Sequence, residues 1–299
     1  MLKIKHLGKR LGCLLLAVIA IMTTVSPASA ISCFADPLSV SLSQKAEAEA
    51  EASQGKAVMV SVLRRYANFG SAVVGRFEDG TQINVLGTSG KFYKVDCYDM
   101  KAFIAKSQVR QGEDGKYYVS CQAGSSETTS MPMYNLQDAL TLKSALRTRA
   151  MKYIGTRYVW GGETPKGFDC SGYTQYVFAK NGLSIHRTVI NQMGDGIVIR
   201  REDLQCGDLI IFSNTTSRGF ASHVGMYIGD GKMIHSGNGG VAISRLDTPY
   251  WNKYYQGSRR IILTGLENSV ASPAMGLLQN NTTAFWRKNS QLSDGITNG

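Results

Sequence analysis

The sequence predicts an α+β chain: a small all-β barrel followed by a domain in which helices pack on an antiparallel sheet. Three observations carry that expectation. Short strand-like runs recur about every ten residues across residues 57–110. Two stretches, 136–153 and 170–180, carry helix-like patterning with start and stop signals. Between Ser222 and His235 two alternating runs flank Gly229-Asp230-Gly231, as a hairpin requires. Glycine outnumbers proline 32 to 6, which suits tight turns and β-rich architecture. A length of 299 residues accommodates two domains with a real core.

The chain opens with a basic head, Lys3, Lys5, Lys9 and Arg10, then the apolar core Leu11–Met22, then Ala28-Ser29-Ala30. That order is the signature of a secretory signal peptide over residues 1–30. Its removal takes the formal net charge from +11 to +7. Beyond it no apolar run reaches the roughly 18 residues needed to span a bilayer, so an integral membrane protein is excluded. Export implies a secreted or cell-wall-associated protein. A lipid anchor on Cys33 is disfavoured, because Ala30 stands where such acylation sites carry Leu. Residues 31–56 hold an Ala/Glu alternation with no apolar face and read as an exposed spacer. The positive charge suits an anionic wall polymer. No basic cluster interleaves with aromatics, so nucleic acid is not an expected partner.

Within 57–110 the candidate strands are Val58–Val62, Ser71–Val74, Gln82–Leu86, Phe92–Asp96 and Lys101–Ala105, with Asp79-Gly80 and Ser89-Gly90 as turns. Residues 111–135 are rich in Gly, Ser, Thr and Glu and are expected to be a linker. A helix over 136–153 has apolar residues at 136, 140, 142, 146, 150 and 151. Asp138 lies early in it, and Arg147, Arg149 and Lys152 lie late, which complements the helix dipole. The segment 136–265 forms the second domain, and 266–299 is a polar, irregular tail. Cys97 and Cys121 are candidates for a disulfide in an oxidising compartment. Cys206 reads as a packed structural thiol.

The chemistry concentrates between residues 157 and 235. Gly161, Gly162 and Gly167 mark a loop leading into Asp169-Cys170-Ser171-Gly172, after which 170–180 reads as a helix ended by Asn181-Gly182. Cys170 therefore sits at a helix N-terminus, where the dipole and free N–H groups favour thiolate. His223 and His235 flank the hairpin turn. A two-residue turn would put them on opposite faces. A three-residue turn at 229–231 pairs Gly225 with His235 and makes His223 its diagonal neighbour on the same face, about 7–8 Å away. The three-residue turn is expected, with Gly231 in the left-handed position. A nucleophile, a base and a group orienting that base then come together: Cys170, His223 and His235.

The run Y-x-W-G-G-x-T-x-x-G-x-D-C-S-G from Tyr158, the later H-V-G-x-Y-I-G-D-G, and the second His resemble NlpC-type papain-like cysteine peptidases of bacterial cell walls. Arg187-Thr188, Gln192 and Gly207–Phe212 match further family positions. The resemblance covers about residues 138–263, and it implies cleavage of peptidoglycan stem peptides or muropeptide fragments at the γ-D-glutamyl–diamino acid bond, with no metal or organic cofactor. It implies Cys170 as nucleophile, His223 as base and His235 as orienting residue. It also places Tyr158 near the oxyanion, with Asp169, Ser171 and Arg187 on the substrate's amine side. The stretch GRFEDGTQINVLGTSGKFYKVDCYDMKAFIAKSQV resembles bacterial SH3-like domains, which in such relatives can wall off the groove and demand a free N-terminal L-alanine. Cys206 and His186 stand where the family usually has Pro. The alternatives are a catalytically inactive wall-binding protein, a wall amidase of other bond specificity, and a zinc site of Cys170, Cys206, His223 and His235. The close ligand pairs of structural zinc are missing from that last set.

Overall fold

The computed structural model describes residues 57–217 and 219–265. The expected signal peptide 1–30, Cys33 and the spacer 31–56, and the tail 266–299, lie outside the described residues.

The first sheet grows from β1 (Ala57–Arg64), β2 (Val73–Glu78), β3 (Gln82–Ser89), β4 (Phe92–Cys97) and β5 (Met100–Ala105). β6 (Val109–Gln111), β7 (Tyr117–Val119) and β8 (Thr128–Tyr134) complete this half. Alternation does the sorting. Val60, Leu63, Val74, Phe77, Val95 and Ile104 are buried, while their polar neighbours face outward. β3, β4 and β5 form an antiparallel meander, and β1 pairs with β2, β5 and β8.

Residues 111–135, expected as a linker, contribute to the sheet. Tyr117 and Tyr118 pair with Ile83 and Gln82, and Thr128–Pro132 pair with Ser61–Ala57. The Ser/Thr-rich composition hid β8 because its hold on β1 comes from backbone hydrogen bonds, to which side-chain polarity is indifferent. The Arg64 guanidinium also donates to Glu127 at 2.7 and 2.6 Å just before β8.

α1 (Leu136–Met151) starts at Asn135, whose side chain accepts from Asp138 N–H at 2.7 Å. Its buried stripe is Ala139, Lys143, Leu146 and Ala150 rather than the larger apolar residues the pattern suggested. Small residues let the helix approach closely, and Lys143 reaches out to donate to Gln205 Oε1 at 2.5 Å. β9 (Glu163–Thr164) and β10 (Gly167–Phe168) form a two-stranded ribbon before α2 (Cys170–Ala179), followed by the short α3 (Val189–Gln192).

The second sheet contains β11 (Ile197–Ile199), β12 (Leu209–Phe212), β13 (His223–Gly229), β14 (Lys232–Gly237) and β15 (Gly240–Arg245). After α4 (Pro249–Tyr254) come its last strand, β16 (Tyr255–Arg260), and β17 (Leu263–Thr264). Its order is β11-β16-β12-β13-β14-β15, antiparallel throughout, as expected for this half. Tyr173, Val177 and Phe178 of α2 share one buried cluster with Val224, Met226 and Ile234 of the sheet. The opposite side buries Ile210, Phe212 and Met233 beneath Trp251, Tyr254 and Tyr255.

The two sheets are stitched together. β17 runs parallel to β8, pairing Leu263 with Met133. Arg259 of β16 is fully buried and donates from Nε to Met193 O at 2.7 Å and from Nη2 to Val74 O of β2. Gly75 leaves no room there, since an ideal Cβ would lie 2.5 Å from Val198.

Candidate active site

Asp169 begins the site. Its backbone is extended, with φ −86° and ψ 176°, and its Oδ1 accepts from Gly172 N–H at 2.6 Å, capping α2. Its Oδ2 accepts from Gly161 N–H at 3.0 Å, which ties the preceding glycine loop to the helix start. The loop packs so closely that an ideal Cβ on Gly172 would stand 2.1 Å from Gly162 O. Glycine at that position is therefore dictated by the approach of two backbones. Tyr158 forms a parallel bridge with Phe168, and Ser236 Oγ of β14 donates to Phe168 O at 2.9 Å. The strand that carries His235 is thereby fastened to the turn that carries Cys170.

Arg187 gathers the polar residues singled out in the sequence. It donates to Asp169 Oδ1 at 3.0 Å and Oδ2 at 2.6 Å, to Ser171 Oγ at 3.0 Å, and to Glu163 Oε1 at 2.5 Å. Bidentate geometry of this kind fixes a carboxylate in orientation as well as charge. Gln192, fully buried, holds the segment by donating to Ser171 O at 2.9 Å and His186 O at 2.7 Å. Glu163 was missed in the sequence, where it is one more polar residue in a glycine-rich loop.

The hairpin delivers the two histidines by a route the spacing did not show. Asp230 and Gly231 both have positive φ, 54° and 67°, and Gly229 pairs with Lys232, so the turn has two residues. A bulge between Tyr227 and Gly229 absorbs Ile228, and Met226 then pairs with Ile234. The bulge restores the register for which a three-residue turn was expected. His223 Nε2 and His235 Nδ1 are 2.9 Å apart, a direct hydrogen bond. His235 Nε2 lies 3.0 Å from Ser244 Oγ of β15. Trp251 of α4 stacks on the His223 ring, with centroids 5.6 Å apart at 22°, and meets the His235 ring edge-on at 5.1 Å.

Neither Ser244 nor Trp251 was foreseen. Thr248-Pro249 is a legible helix start, and Thr248 does cap α4, but nothing local says that its tryptophan covers a distant histidine pair.

Cys170 is buried, and backbone hydrogen bonding from Val224, Ser171 and its own N–H reaches its sulfur. The Val224 N–H belongs to the peptide linking it to His223, so the thiol lies against the first residue of β13. Burial pushes the Cys170 thiol up to about 11, with the Asp169 carboxylate adding to the rise and the three N–H groups opposing it. The helix N-terminus was expected to favour thiolate; here desolvation outweighs it. Burial likewise lowers His223 to about 3, helped by His235, and His235 to about 4. The resting pair is thus a neutral thiol beside a neutral imidazole, and the arrangement can move a proton from one to the other.

The remaining cysteines sit apart. Cys97 and Cys121 are free thiols, and Cys206 is buried, its Sγ donating to Lys143 O at 3.6 Å. Among the described residues no group of three His, Cys, Asp or Glu side chains could hold a metal ion, and no helix is long and apolar enough to cross a membrane.

A model of the NlpC/P60 family matches residues 155–260. A γ-D-glutamyl-L-lysine dipeptidyl-peptidase of Bacillus cereus is 41% identical over 112 residues, 37% of this chain and 34% of that protein. The murein DD-endopeptidase MepS/murein LD-carboxypeptidase of Escherichia coli K12 is 37% identical over 149 residues, 47% of this chain and 77% of that protein. A crystal structure of a NlpC/P60 family protein from Bacillus cereus aligns over 64% of this chain and 82% of that chain at 23% identity, with a TM-score of 0.38. The match thus spans about a third of the first of these relatives and three quarters of the second. On the family match and the Escherichia coli relative, the chain belongs to the NlpC/P60 family.

Proposed function

We propose that this protein is an exported cysteine endopeptidase that hydrolyses peptidoglycan stem peptides at the γ-D-glutamyl–diamino acid bond. The observation that carries the reading is the arrangement of Cys170 at the start of α2, its sulfur against the Val224 N–H, and the His223–His235 hydrogen bond of 2.9 Å. The names of the relatives, a γ-D-glutamyl-L-lysine dipeptidyl-peptidase and a murein endopeptidase, supply the substrate class.

In this reading His223 takes the Cys170 proton as the sulfur bonds to the amide carbonyl carbon. Backbone N–H groups at the helix start, with Tyr158 beside them, receive the oxyanion. The C–N bond then breaks as His223 returns the proton to the leaving amine. Water, deprotonated by His223, hydrolyses the thioester and restores the thiol. His235 holds the His223 ring. Asp169, Ser171 and Arg187 form the polar wall on the substrate's amine side. No step calls for a metal or an organic cofactor.

The β module over 57–110 is read as SH3-like and as a wall of the groove. In support, Arg65 lies 4.0 Å over the ring of Phe220, in the loop that leads to His223. The test is digestion of purified peptidoglycan. Wild-type protein releases soluble peptides, and Cys170→Ala releases none above background. Equal release by both would refute the cysteine mechanism, and binding without release by wild type would mean an inactive wall-binding protein.

A further inference from the structure

Three hydrogen-bonding positions in a row leave little freedom to the protons between them. His223 Nε2 faces His235 Nδ1 at 2.9 Å, and His235 Nε2 faces Ser244 Oγ at 3.0 Å. Each neutral imidazole carries one N–H, so each contact holds one proton and the two choices are coupled. If Ser244 accepts, His235 carries its proton on Nε2, its Nδ1 is bare, and His223 donates from Nε2. His223 Nδ1 is then bare and able to take a thiol proton. If Ser244 donates instead, His235 is protonated on Nδ1, and His223 must carry its proton on Nδ1 as well. That second state has no base.

We propose that Ser244 is a positioning residue: by accepting from His235 Nε2–H it sets the tautomers of both histidines and leaves His223 Nδ1 free to act on Cys170. The inference rests on the cysteine-peptidase reading and extends its catalytic set by one residue on β15. Two features favour the accepting state. Ser244 is half-buried while His235 is 8% exposed, so the serine hydroxyl can give its own proton to water, whereas an unbonded His235 N–H could not. Trp251 covers both rings, which keeps water from substituting for Ser244 at His235.

Removing the hydroxyl leaves His235 Nε2–H without an acceptor in a covered site. The pair then shifts to the tautomer that buries a bare Nε2, and the base is lost for most of the population. Ser244→Ala is expected to lower kcat roughly 10²-fold, the low end of what a positioned base contributes, with KM little changed. Ser244→Thr, which keeps a hydroxyl, is expected to recover most of that loss.

The direct readout is the ¹⁵N spectrum of histidine-labelled full-length protein near pH 7, recorded on wild type and on Cys170→Ala. Protonation of His235 at Nε2 and of His223 at Nε2 is expected in both. Protonation of either ring at Nδ1 would overturn the proposal without touching the peptidase reading, and this holds even if Ser244→Ala fails to fold. A kcat loss equal in Ser244→Ala and Ser244→Thr would also overturn it, since a shared loss reports packing rather than the hydroxyl. Undiminished hydrolysis by Cys170→Ala would instead remove the peptidase reading itself.

Discussion

Buried histidines make this site sensitive to acid in a way that can be signed. His235 is 8% exposed, and burial lowers it to about 4, whereas in the unfolded chain histidine titrates near 6.5. Between those values the unfolded state binds more protons, so stability is full above about pH 6.5 and is lost as the pH falls towards 4. At pH 5 this group alone should cost roughly 2 kcal/mol, with His223 adding to it in the same direction. Denaturant titrations at pH 7.5 and pH 5 check this, and His235→Asn should flatten the dependence. The raised Cys170 thiol acts at the other end, removing stability as the pH rises above about 9. At this scale the sequence was informative where chemistry is written in residue type and spacing. Cys170 after Asp169, and His223 two strands from His235, were legible. The saturation of Asp169 by Arg187, and the burial that opposes the helix dipole at Cys170, depend on what folds over them.

α4 shows how an element can matter through one face. It spans six residues, and Phe212, His223 and His235 all lie within ring contact of its Trp251. Trp251→Ala opens the histidine pair to water, and because burial is the first cause of their lowered values, both should titrate closer to 6.5. Histidine NMR titration measures the shift, and activity should lose its acidic limb at higher pH than in wild type. Trp251→Phe should keep most of the cover.

The hairpin between β13 and β14 carries a second lesson. The correct pairing of Gly225 with His235 was reached from the sequence by assuming a three-residue turn. The fold reaches it with a type I′-like pair, Asp230-Gly231, plus a bulge at Ile228. Turn residues announce a turn, but a bulge depends on backbone fit between two strands and leaves no composition mark. β8 was hidden for a related reason, because a polar strand held by its backbone looks like a linker.

On the scale of the whole molecule, the N-terminal β half and the second sheet are built into each other. β8 pairs with β17, and Arg259 sends its buried guanidinium to Val74 O and Met193 O. Burial lowers Arg259 to about 10, and Cys97, Tyr255 and Asp99 oppose that fall. Arg259→Met leaves two buried carbonyl oxygens without their donor and should cost about 2–4 kcal/mol. Calorimetry should show a single transition for the wild type and a single, lower one for the variant; two separate transitions would mean that the halves fold independently. The α+β class and the order of the two halves were legible from periodicity. Their union was not, because Arg259 reads as one more surface cation until the sheet that swallows it is known.

The central claim, that Cys170 and His223 cut a stem peptide after γ-D-glutamate, is tested most directly by mass spectrometry of defined stem peptides incubated with the protein and with Cys170→Ala. One peptide should carry a free N-terminal L-alanine and the other that end blocked by muramic acid. The account predicts cleavage between γ-D-glutamate and the diamino acid by the wild-type protein, none by Cys170→Ala, and preference for the free amine where the β module walls the groove. Intact peptides in every reaction, or equal cleavage by Cys170→Ala, would contradict it.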